Sequence, residues 1–121
     1  MPTCRANERL GEVRDRTKAA GWDACVVVNG QRVVFGLLRA NELEREPSLP
    51  IGEAMRPGPS TFRPFVSIEE MARFMIEHDL ESSPITTSDG RLIGLLRRED
   101  AVSVARDVGA NLPAEQKGRE P

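Results

Sequence analysis

The chain has 121 residues, 39% of them hydrophobic and 30% charged, which suits one compact domain or two small units sharing a core. Seventeen basic against nineteen acidic side chains give a formal charge of −2, which argues against a nucleic-acid partner, since general nucleic-acid binding needs a broad positive field. With no run of about 18 apolar residues, and no apolar stretch in the opening Met1-Pro2-Thr3-Cys4-Arg5, the expected location is cytoplasmic, away from any membrane.

In chain order, Leu10, Val13, Thr17 and Ala20 fall on one face of a helix, with Asn7 available as its cap and Gly21 as its end. Trp22 follows and is expected to pack beside that helix. Val26–Val28 and Gln31–Leu38 read as strands on either side of Asn29-Gly30, a dipeptide suited to a tight hairpin. A short charged helix over 39–46 closes the unit. Residues 47–59, rich in Pro and Gly, read as a connector carrying little core, with a helical turn at 50–55.

The pattern then returns. A strand through Thr61 and Arg63 opens the second unit. Ile68, Met71, Ala72 and Met75 form an apolar stripe on a helix over 68–80, started by Ser67 and Glu70 as a capping box. Ile85–Thr87 and Arg91–Leu96 flank Asp89-Gly90, and a charged helix over 97–106 ends the unit. Gly36-Leu37-Leu38-Arg39 equals Gly94-Leu95-Leu96-Arg97 letter for letter, 58 positions on. The expected organisation is repeat 1 over 1–46, connector 47–59, repeat 2 over 60–107 and a loose tail over 108–121.

Chemistry-bearing residues are sparse. Cys4 and Cys25 are the only thiols and His78 the only imidazole, with no spacing for a zinc set and no nucleophile elbow, so a binding module is expected rather than an enzyme.

Several pieces together resemble a tandem pair of CBS domains (the cystathionine β-synthase type, a pair being a Bateman module). They are Ser67 through Met75, Ser83-Pro84-Ile85-Thr86, Asp89-Gly90-Arg91-Leu92-Ile93-Gly94, Leu95-Leu96-Arg97-Arg98-Glu99-Asp100, and the connector piece Glu53-Ala54-Met55-Arg56-Pro57. The resemblance implies an α+β fold of two β-α-β-β-α repeats packed with pseudo-twofold symmetry. It also implies a regulatory sensor that requires no cofactor but takes AMP, ADP, ATP, NAD or S-adenosylmethionine in clefts between the repeats. Such pairs commonly form homodimers. With no effector domain beside the pair, output is expected to pass to another protein in trans.

In this family a Gly-h-h-Thr-x-x-Asp segment holds the ribose and phosphate. Asp100 matches the ribose-binding Asp, and Glu42 stands at that position in repeat 1. The Thr is replaced by Arg39 and Arg97, which cannot copy a hydroxyl acceptor but offer a planar fork to phosphate. Ser83, Pro84 and Ile85 match the base-side segment, and Thr61 and Arg63 are expected to flank the same cleft. Each residue also has a plain structural role open to it: surface ion pairs for the arginines, a first-turn acid for Asp100. A fold that keeps its dimer surface but binds no ligand is the competing expectation.

Overall fold

In the computed structural model, which describes residues 1–113, the apolar run Cys25–Val28 is a strand with all four residues buried. A strand hidden on both faces needs a layer on each side. Cys25 and Val27 join the core that this strand shares with its own repeat's helices, and Val26 and Val28 join a cluster shared with the other repeat.

The elements run β1 (Thr3–Cys4), α1 (Leu10–Ala19), β2 (Cys25–Val28), β3 (Val34–Leu38), α2 (Ala40–Leu43), α3 (Ile51–Ala54), β4 (Arg56–Pro57), α4 (Ile68–Glu77), β5 (Ser82–Thr86), β6 (Leu92–Arg97) and α5 (Arg98–Asp107). One sheet has the order β1-β2-β3-β4, with β1 parallel to β2 and the other pairs antiparallel. The second sheet is the antiparallel pair β5-β6, which Phe62 joins through a parallel bridge to Ile85. No helix among the described residues is long and apolar enough to cross a membrane.

The internal echo holds residue by residue. Cys4↔Val27 recurs as Phe62↔Ile85, Cys25↔Leu38 as Ser83↔Leu96, Val27↔Gly36 as Ile85↔Gly94, and Val28↔Val34 as Thr86↔Leu92. The displacement is always the 58 positions seen in the sequence. It also carries α1 onto α4, and the positive-φ pair Gly21 and Arg32 onto Asp79 and Gly90. The repeats meet at a bridge between Val33 and Arg91, themselves one displacement apart. There Val34 N donates to Gly90 O and Leu92 N to Arg32 O, both at 2.9 Å. Exchanging the repeats turns one bond into the other, so a local twofold axis runs through this bridge.

Three apolar clusters follow from the strand alternation. One lies under α1 around Leu10, Val13, Val27 and Leu38, and a second under α4 and α5 around Met71, Met75, Ala101 and Ala105. The third, Val26, Val28, Leu37 and Leu92, is the seam between the sheets.

Several local expectations are corrected. Asn7 does not cap α1; Arg9 occupies the N-cap without a side-chain bond. The orphan N–H groups of Leu10 and Gly11 donate instead to the connector carbonyls of Leu49 and Pro47, both at 2.9 Å. That docking draws the connector into repeat 1, where Ile51 and Ala54 are fully buried and β4 extends the sheet. The charged helix expected over 39–46 shrinks to α2, because Pro47 lacks an amide donor and disfavours helical backbone at Glu46. The matching position in α5 is Ala105, and that helix runs ten residues.

The turns are also longer than a two-residue hairpin. Asn29 Oδ1 accepts from Gln31 N and Val33 N, and positive φ falls on Arg32 rather than Gly30. Thr87 does the same work in the second turn, its hydroxyl accepting from Arg91 N. The strand expected through Thr61 and Arg63 is a single ladder step at Phe62, whose N–H donates to Pro84 O and whose carbonyl accepts from Thr86 N. Pro64 just beyond cannot extend the ladder. Of the expected tail, Ala110 and Leu112 pack against the repeat 2 core, and residues 114–121 lie outside the described residues.

Candidate functional site

Both candidate arginines stand where the last strand of a repeat turns into its closing helix: Arg39 between β3 and α2, Arg97 between β6 and α5. Each faces the segment that follows the first helix of the other repeat. A hollow of about 250 Å³ is lined by Gly21, Trp22, Asp23, Arg97 and Glu99. Its counterpart, about 200 Å³, is lined by Arg39, Ala40, Asn41, Asp79 and Glu81. The 58-residue displacement exchanges Gly21 with Asp79, Asp23 with Glu81, Arg97 with Arg39 and Glu99 with Asn41.

The two arginines are used differently. Arg97 Nη2 donates to Gly21 O at 3.0 Å, and its guanidinium carbon lies 4.0 Å from the centroid of the Trp22 ring. Trp22 therefore bridges to the opposite repeat rather than only packing beside α1. Leu80 replaces it opposite Arg39, and Arg39 Nε is buried with no hydrogen-bond partner.

Beside Arg39 opens a larger cleft of about 560 Å³. Arg39, Glu42 and Arg45 form its repeat 1 wall, Ala54 to Pro59 its floor, and Ser60 and Leu80 its repeat 2 wall. Glu42 Oε1 accepts from Arg39 N at 2.8 Å, closing the first turn of α2, and Oε2 accepts from Arg56 Nε at 3.1 Å. One carboxylate oxygen thus closes the helix start and the other ties the connector to it. Arg45 makes only a long contact, Nη1 to Ala54 O at 3.4 Å. The floor is fixed by Met55, which lies on Gly36; a side-chain carbon there would overlap Met55 Sδ and come within 3.0 Å of its Cγ. At Gly94, the matching residue of repeat 2, the same space is open.

The remaining sequence candidates lie outside these three walls. Asp100 is exposed in the first turn of α5. Arg63 Nη1 donates to Thr86 Oγ1 at 2.8 Å and to Thr61 Oγ1 at 3.3 Å, which pins the segment to β5. Ser83 Oγ donates to Ser60 O at 2.7 Å, setting the backbone of the cleft's repeat 2 wall. Pro84 is buried at the ladder step to Phe62, and Ile85 packs on the repeat 2 core. Sequence reading missed Arg45 and Leu80 as walls. Arg45 lies three residues beyond Glu42, the spacing of one face in the helix expected over 39–46, although α2 ends before it; Leu80 carries no such signal.

Comparison with known proteins gives the same architecture. The CBS domain family model matches residues 51–107. The chain is 33% identical over 58 residues to the chloroplastic CBS domain-containing protein CBSX2 of Arabidopsis thaliana, a match spanning 48% of this chain and 24% of that protein. The curated relative is therefore about four times as long as the matched stretch. The solved structure of CBSX2 in complex with AMP superposes with a TM-score of 0.80 at 18% identity, covering 89% of each chain. The cytosolic domain of the Mg2+ channel MgtE in complex with ATP gives 0.76 at 25% identity, covering 85% of this chain and 44% of that one.

Proposed function

We propose that this chain, a tandem CBS pair of the regulatory type, binds an adenosine-containing nucleotide in a cleft between its repeats and passes the event to a partner protein in trans. The observation that carries this is the placement of the clefts. Both lie where the closing strand–helix junction of one repeat meets the segment after the first helix of the other. A ligand there touches both repeats at once, so its binding energy acts on their relative placement. The binding of AMP by CBSX2 and of ATP by MgtE supports the ligand class.

In this reading Arg39 and Arg97 meet phosphate. Asp100, Thr61, Arg63, Ser83, Pro84 and Ile85 stand outside the lined hollows, so the ribose and base roles expected of them apply only to a ligand that extends beyond those walls. Glu42 holds the connector and reaches a ribose only by releasing Arg56. Two chains are expected to associate as a homodimer.

Thermal unfolding of the full chain with AMP, ADP, ATP, NAD and S-adenosylmethionine tests the proposal. Stabilisation should grow with the logarithm of ligand concentration above its Kd. A second reading, a scaffold that binds no nucleotide, has one observation in its favour: Trp22 and Gly21 already occupy Arg97. An unfolding temperature unmoved by all five compounds selects the scaffold. Native mass spectrometry of the same material reads the subunit number.

A further inference from the structure

We infer that the larger cleft, on the repeat 1 side, is selective for a nucleoside carrying a chain of two or three phosphates, over a monophosphate or a cationic adenosyl compound. This rests on the nucleotide reading above and adds the charge class of the ligand.

Among the described residues, three arginines, Arg39, Arg45 and Arg56, line this cleft, and Glu42 is the one acid that does. Both Glu42 oxygens are already engaged, by the Arg39 amide and by Arg56 Nε. The cleft therefore has a surplus of positive charge that its own acid does not cancel. Asp79 and Glu81 line the adjoining smaller hollow, which Arg39 also borders, and not the larger cleft; Asp79 Oδ1 is held by Arg98 Nη1 at 2.9 Å. Arg39 Nε remains buried without an acceptor. A buried donor left unmet is unfavourable, and an anion reaching it would remove that cost.

The pseudo-symmetric site shows the contrast. Arg97 stands over an indole and donates to a carbonyl, so its guanidinium is already used. Arg39, facing Leu80, has neither. One phosphate can be forked by one guanidinium, whereas three, two flanking α2 and one on the connector, match a chain of phosphates. The volume of about 560 Å³ admits a nucleotide, and Leu80, Met55 and the connector prolines offer an apolar wall to a base. A sulfonium cation would meet like charge on the repeat 1 wall and on the floor.

Isothermal titration of the full chain with ATP, ADP, AMP, adenosine, S-adenosylmethionine and inorganic tripolyphosphate decides the matter. ATP and ADP should bind at least about tenfold more tightly than AMP, and tripolyphosphate should compete with ATP. Arg45→Gln and Arg39→Gln should each weaken ATP by about tenfold and leave adenosine unchanged; Arg45, exposed and weakly bonded, is the variant least able to disturb folding. Equal affinity for AMP and ATP, or unchanged ATP affinity in both variants, overturns the phosphate-chain selectivity while leaving nucleotide binding standing. Binding of tripolyphosphate with no contribution from the adenosine part overturns the nucleotide reading. Absence of binding by every compound overturns both.

Discussion

The guanidinium of Arg97 lies 4.0 Å from the centroid of the Trp22 ring, joining the β6–α5 junction of repeat 2 to the segment after α1 across 75 residues of chain. Trp22 is the sole tryptophan, so its emission reports this contact directly. Arg97→Ala removes a cation over an aromatic face and one hydrogen bond to Gly21 O, together about 1–2 kcal/mol. The expected result is a red-shifted emission maximum in the native protein and a matching loss in urea denaturation. An unshifted spectrum with unchanged stability would show that the ring and guanidinium do not meet in solution.

Gly36 and Gly94 occupy the same place in the two repeats yet face different neighbours. At Gly36 a methyl group collides with the side chain of Met55, the residue just before β4; at Gly94 the space is open. Gly36→Ala should therefore cost about 1–3 kcal/mol through overpacking. Gly94→Ala should cost nothing measurable, since alanine in a strand is no worse than glycine. Chemical denaturation of the two variants checks the difference, and Met55→Ala in the Gly36→Ala background should recover part of the loss. Equal effects at both positions would contradict the asymmetry of the clefts.

The repeat was legible because physics writes it twice. The apolar stripe of α4 and the letter-for-letter match of Gly36–Arg39 with Gly94–Arg97 placed both sheets in their true displacement. What stayed hidden depends on partners distant in sequence. Asn7 looks like a cap until the connector carbonyls of Pro47 and Leu49 arrive to take that role. Arg39 and Arg97 are equivalent on paper and differ only because one meets Leu80 and the other Trp22. The role of Glu42 as an anchor required Arg56, brought back by a strand pairing that its two-residue length could not announce.

Cys4 and Cys25 sit in the same apolar cluster, 2% and 0% exposed. Their mutual hydrogen bond pushes the Cys4 thiol up and the Cys25 thiol down, so it is burial of both that keeps reagent from either one. Native protein at pH 8 should react with Ellman's reagent only at the rate of its unfolding, and both thiols should appear at once in denaturant. A rapid phase of one thiol in the native protein would mean that Cys4 or Cys25 is open to reagent and would refute this packing.

Glu8 gives a pH dependence whose sign can be worked out. Burial pushes its carboxyl up, but the Arg16 side chain at 2.9 Å and the Arg5 amide at 2.8 Å outweigh that and hold it below the ordinary value. The folded protein therefore binds this proton less readily than the unfolded chain. Its stabilisation is present above the unfolded value, about 4.3, and is lost as pH falls through the folded value. Because the pair is partly exposed, at 49% for Arg16 and 27% for Glu8, the effect should stay below about 1 kcal/mol. Urea midpoints at pH 7, 5, 4 and 3 should fall less steeply for Glu8→Gln than for the parent chain, with the two converging at the acid end. Parallel curves would mean that the carboxylate has no such grip on Arg16 and the loop before α1.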